Sequence, residues 1–102
     1  MIVDAMNKEC YAKYHILGAI SLPGDGPADF ERIRKTQLPI PREKEIIVYC
    51  DWAGEGASAR VALTLMEKGY QNVKVVDGGW KAMLKVGFPF ISEGKLIWPE
   101  KR

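Results

Sequence analysis

The stretch that decides the fold is Ile46-Ile47-Val48-Tyr49-Cys50-Asp51-Trp52-Ala53-Gly54-Glu55-Gly56-Ala57-Ser58-Ala59-Arg60. Its first four residues are β-prone with no polar alternation, which reads as a strand buried on both faces. Cys50 ends that strand. Asp51 to Ala57 is rich in Gly and Ala and reads as a loop, after which Ser58 caps a helix running to about Lys68. Val61, Ala62, Leu65 and Met66 fall on one face of this helix, and Gly69 sits where a left-handed C-terminal cap belongs. Val73 to Val76 is a further short strand, Asp77-Gly78-Gly79 a turn, and Trp80 to about Val86 a last helix before Gly87 and Pro89. Strand, helix, strand, helix in succession predicts a parallel sheet covered on both faces.

Working back toward the N-terminus, the signals shorten. Ile2-Val3 precedes Asp4, and Asn7 caps a short helix through about Tyr14, with Glu9 in its first turn. Gly18-Ala19-Ile20-Ser21-Leu22 reads as a strand closed by Pro23. Pro23-Gly24-Asp25-Gly26-Pro27 is the clearest loop, because its residues either need or fix special backbone angles. Pro27 then starts a helix through about Lys35, with Phe30 and Ile33 facing inward. Pro39 and Pro41 make a stiff connector.

Composition excludes several classes. The 102 residues amount to one domain, taken as 1–102. Fifteen Lys and Arg stand against 13 Asp and Glu, a net charge of +2. That near-balance argues against a chain that mainly coats nucleic acid or an anionic membrane. With 47% hydrophobic and 27% charged residues the chain is globular rather than disordered. Cys10 and Cys50 cannot form a disulfide framework, and with His15 the single imidazole no four-ligand Cys/His zinc site assembles within one chain. No apolar run approaches the roughly 18–20 residues of a membrane span. Met1-Ile2-Val3-Asp4 has no basic region leading into an apolar one, so the expected location is cytoplasmic.

The chemistry must therefore come from a thiol, an imidazole, carboxylates or the backbone. In parallel α/β sheets, ligands sit at the carboxyl ends of strands, where helix N-termini present free N–H groups. Cys50 holds that position. Loop N–H groups and the positive end of the following helix dipole suit a nucleophilic, negatively charged sulfur, and Gly54 and Gly56 let the backbone curl around a bound atom.

Several motifs in order resemble the rhodanese domain family. They are Ile46 to Cys50 with its loop, Ser58-Ala59-Arg60, Gly69-Tyr70, Asn72-Val73 and Asp77-Gly78-Gly79-Trp80. Asp4 resembles the family's early Asp, and His15-Ile16-Leu17-Gly18-Ala19 its His-Ile-Pro-Gly-Ala motif, with Leu17 for Pro. The resemblance spans Ile2 to Pro89. It implies an α/β three-layer fold, with a central, mostly parallel sheet flanked by helices. It also implies sulfane-sulfur transfer: Cys50 takes sulfur from a small-molecule donor as a persulfide. A thiol (free or on a protein), sulfite or cyanide then accepts it. Asp51, Trp52, Ala53, Gly54, Glu55, Gly56, Ala57 and Ser58 would form the loop that cradles the persulfide through backbone N–H groups. The resemblance calls for no cofactor, metal, nucleic acid or membrane, and the expected state is a monomer or weak dimer. The alternative is a catalytically weak rhodanese-like interaction module whose loop is a docking surface.

The departures from the family are informative. The loop is longer than is common, and it carries Asp51 and Glu55 where thiosulfate-using members often carry cations. Carboxylates oppose a thiolate and a dianionic donor, so thiosulfate is a doubtful native substrate. Trp52 either closes the pocket with an apolar wall or packs against the sheet. Phosphatases related by fold need an Arg six positions after the Cys, and position 56 is Gly. Only Met1 to Val3 precede Asp4, which suggests a minimal domain or a piece of a longer chain.

The remaining residues have structural readings. Asp4 caps a turn or holds loop backbone, and Met6 replaces an Arg common in the family. His15 bonds backbone near the sheet. Cys10 is a bystander rather than a resolving thiol. Arg60 is expected to pair on the helix surface, with Glu55 or Asp51. Arg32, Arg34, Lys35, Arg42 and Lys44, interleaved with Glu31, Glu43 and Glu45, form a solvated face. Trp80 packs in the core. Trp98 folds back over the domain or marks a docking surface.

Overall fold

The structure, a computed structural model, describes residues 1–50 and 56–99. Four strands, β1 (Ile2–Asp4), β3 (Ile20–Ser21), β4 (Ile46–Tyr49) and β5 (Val73–Val75), form a sheet in the order β3-β1-β4-β5. All three pairings are parallel, with Val3 opposite Val48 and Val48 opposite Val75. The central strands are dry: Val3, Ile46, Val48 and Tyr49 are fully buried. Because neighbouring residues of β4 point to opposite faces, that burial requires cover on both sides of the sheet. The helices are α1 (Lys8–Lys13), α2 (Pro27–Lys35), α3 (Gly56–Glu67) and α4 (Gly79–Lys85). This is the expected three-layer α/β arrangement.

Local chemistry explains the element boundaries. The Asn7 side chain accepts from the Cys10 N–H at 2.8 Å and starts α1. Pro27 occupies the first turn of α2, whose buried residues are Phe30 and Ile33. The basic residues of α2 lie outside: Arg32 pairs with Asp29, and Arg34 and Lys35 with Glu31. Gly69 has φ +99° beyond α3, and across it the Tyr70 N–H donates to the Leu65 carbonyl.

Five findings depart from or add to these expectations. The stretch 18–22 keeps only Ile20 and Ser21 as strand, because Gly18 takes φ +84° and the Ala19 N–H turns back onto the Ile16 carbonyl. Ser58 does not cap α3. The helix begins at Gly56, so Gly56, Ala57 and Ser58 make its first turn instead of the end of a loop. Met66 is 47% exposed, and Thr64 takes the inward place by donating its hydroxyl to the Arg60 carbonyl. The C-terminal segment forms strands: β2 (Tyr14–Ile16), β6 (Phe90–Ser92) and β7 (Lys95–Ile97) make a second, antiparallel sheet. Glu93 and Gly94, both with positive φ, turn the β6–β7 hairpin. Trp98 is 69% exposed beyond it, so the fold-back reading fails. Among the described residues no helix is long and apolar enough to cross a membrane.

Candidate active site

Cys50 directly follows β4, one of the two inner strands of the parallel sheet, and is 5% exposed. Its carbonyl accepts the Trp80 N–H at 2.8 Å, which ties the strand end to the first turn of α4. Its Sγ lies 3.5 Å from the Ser58 hydroxyl oxygen, with the thiol donating. Ser58 is fully buried in the first turn of α3. The sulfur therefore sits beside the N-terminus of a 12-residue helix whose described first turn carries no acid. The positive end of that dipole favours negative charge there. If the thiol proton leaves, the Ser58 hydroxyl can reverse and donate to the sulfur.

The expected loop divides at residue 56. Asp51, Trp52, Ala53, Gly54 and Glu55 lie outside the described residues. Gly56, Ala57 and Ser58 are helical, and Ser58 is the one bonded to Cys50. The Pro23–Gly24 turn closes against this helix start. A Cβ on Gly24 would stand 2.7 Å from Val61 Cγ2 and 3.0 Å from the Ala57 carbonyl. Only glycine allows that approach. The sequence marked Gly24 as a turn residue, but not as a neighbour of the site.

Beneath Cys50 lies a network the sequence reading missed. The Tyr49 hydroxyl donates to Asp4 Oδ2 and accepts from the Ile16 N–H at 2.9 Å. Asp4 Oδ1 accepts the Met6 N–H at 2.8 Å, which is the backbone-holding role expected of Asp4. Met6 itself is buried. Burial, and then the negative charge of Asp4, push the Tyr49 phenol far above its ordinary pKa, so it stays protonated. The same two causes raise Tyr11. Tyr49 read as one more strand hydrophobe, and its pairing with Asp4 depends on a register that no local pattern encodes.

His15 is structural, as expected. Its Nδ1 donates to the Tyr11 carbonyl at 2.7 Å, and its ring stacks on Tyr11 at 4.0 Å. Trp80 packs edge-on against Tyr14 and Phe90. Cys10 is a half-buried free thiol on α1. Arg60 is exposed, and among the described residues it has no ion-pair partner. No group of His, Cys, Asp and Glu among the described residues could hold a metal ion. The arrangement places a nearly buried thiol beside a hydroxyl and a helix N-terminus.

Comparisons with known proteins agree with this fold. A family model described as a rhodanese-like domain matches residues 1–85. Thiosulfate sulfurtransferase GlpE of Pseudomonas entomophila is 35% identical over 81 residues, covering 79% of this chain and 67% of that protein. Protein HIGH ARSENIC CONTENT 1, mitochondrial, of Arabidopsis thaliana is 26% identical over 92 residues, 84% of this chain and 53% of its own length. The crystal structure of the Rhodanese_3-like domain of the Anabaena Alr3790 protein shares the fold. Its TM-score is 0.69 at 22% identity, over 87% of this chain and 94% of that one.

Proposed function

This chain belongs to the rhodanese-like domain family, and on that premise we propose that it is a sulfurtransferase working through a Cys50 persulfide. The observation that carries the reading is the placement of Cys50 Sγ, at the end of the inner strand β4 and 3.5 Å from the buried Ser58 hydroxyl. In the first half-reaction the Cys50 thiolate attacks the outer sulfur of the donor. A new S–S bond forms, and the donor's remainder leaves with the electron pair of the broken bond: a thiolate from a persulfide, a sulfinate from a thiosulfonate, or sulfite from thiosulfate. In the second, an acceptor thiolate, sulfite or cyanide attacks that outer sulfur and returns the electron pair to Cys50. No net oxidation occurs and no cofactor enters.

Ser58 and the α3 N-terminus stabilise the negative charge on sulfur once the thiol proton has left for attack, and again on the ionised persulfide. Asp4 and Tyr49 keep the strand end in register while remaining chemically silent. Asp51 and Glu55, both acidic, weigh against dianionic thiosulfate as the native donor. Organic persulfides and thiosulfonates with less charge fit better. A soluble cytoplasmic setting, as a monomer or weak dimer meeting small-molecule or protein thiols, completes the proposal. The test is a sulfur-transfer assay from several donors to cyanide and to a thiol, with native protein and Cys50→Ser. Transfer by the native chain alone supports the reading, and equal rates for both sink it.

A further inference from the structure

We propose that the cavity between α1, β3 and α2 is a second binding site, one that takes a small amphipathic monoanion by its apolar body and its acidic head. The cavity measures about 350 Å³, at the small end of the range that holds organic ligands. Leu22 and Pro23 after β3, Ile33 of α2 and Leu38 beyond it supply an apolar lining, together with the ring of Tyr11 of α1. Such a lining favours a hydrocarbon or aryl body.

The polar groups give the sign of the head. Lys8 and Arg32 line the same cavity, and no carboxylate does. Arg32 is shared with Asp29 at 2.9 Å, whose other oxygen accepts the Asp25 N–H. Lys8 has no ion-pair partner among the described residues, so it is the cation left for a ligand. Ser21 also lines the cavity, and its Oγ is buried without a hydrogen-bond partner among the described residues. A buried hydroxyl in that state is a standing cost that a ligand oxygen would relieve. One change of χ1 re-aims it, since serine has three staggered positions. Among the described residues β3 is the outer strand of its sheet, and no further strand pairs with its free edge.

Cation, unsatisfied hydroxyl and apolar wall together describe a carboxylate with a short hydrophobic body. A neutral alcohol would lose the attraction to Lys8, and an ammonium would be repelled by Lys8 and Arg32. The site uses none of the residues assigned to sulfur transfer, so the two readings stand or fall separately.

The experiment is an amide NMR titration of the full chain with octanoate, beside octanol and octylammonium. The expected result is saturable shifts at Ser21, Leu22, Ile33 and Leu38, with octylammonium binding at least roughly tenfold more weakly. Ser21→Ala should raise the melting temperature, by removing the unpartnered hydroxyl, and weaken octanoate severalfold. Lys8→Gln should weaken octanoate and leave octanol unchanged. The proposal is overturned by the absence of saturable shifts at these residues, by octylammonium binding as tightly as octanoate, or by full affinity in both variants.

Discussion

The Tyr49 hydroxyl donates to Asp4 Oδ2 at 2.5 Å, and both side chains are fully buried. Asp4 ends β1 and Tyr49 ends β4, one residue before the proposed nucleophile, and the two face each other in the parallel ladder. Since the same hydroxyl accepts the Ile16 N–H of β2, one phenol links both sheets. A carboxylate in a dry core is tolerated because donors surround it.

Tyr49→Phe strips Asp4 of a donor and Ile16 of an acceptor while keeping the ring. We expect a loss of at least about 2 kcal/mol, since a buried charged group loses a partner. Urea denaturation checks this, and an unchanged midpoint would show that the network adds little.

The raised pKa of Tyr49 sets an alkaline limit. Its folded value lies above the unfolded value near 10, so its contribution is complete below about pH 10. That contribution drains away as pH climbs further toward the folded value, because the unfolded chain releases the proton first. Tyr11 contributes in the same direction. Stability measured against pH should fall above about pH 10, less steeply in Tyr49→Phe. A flat profile in the native chain contradicts the assignment.

Ser58→Ala removes the hydroxyl beside Cys50 without altering the helix backbone. Hydrogen bonds to charged groups contribute about 1.5–3 kcal/mol, so the rate of sulfur transfer should drop roughly ten- to a hundredfold. Secondary structure by circular dichroism should stay native. An unchanged rate would remove Ser58 from the proposed mechanism.

Glu55→Gln tests the acidic loop. If Asp51 and Glu55 oppose dianions, neutralising one of them should raise thiosulfate turnover and leave a neutral organic donor unaffected. Equal turnover of thiosulfate by both proteins would sink that explanation.

The second half of the chain was legible because its signals are local. Ile46 to Tyr49 has nowhere to go but a sheet interior, and Gly69 marks a helix end by its own backbone. Cys50 stood out because it falls at a strand's carboxyl end, ahead of a helix. The second sheet was not legible. Tyr14 to Ile16 follows α1 with no breaker, Phe90 to Ser92 and Lys95 to Ile97 are three-residue strands without alternation, and their pairing is a tertiary property. The start of α3 falls three residues ahead of the one a Ser58 cap implies, because serine at a small-residue boundary reads as a cap, whereas here its hydroxyl faces a sulfur. Met66 and Thr64 exchanged faces for a similar reason: threonine satisfied its hydroxyl within the helix, and hydrophobicity alone ranks methionine first for burial.

The central claim is a sulfur atom carried on Cys50. Intact-mass spectrometry of the native chain after exposure to thiosulfate, an organic persulfide and a thiosulfonate, with peptide mapping, tests it directly. The expected result is an adduct of one sulfur atom on Cys50, discharged by cyanide and absent in Cys50→Ser. No adduct at Cys50 with any of the three donors, in a folded protein, would contradict it.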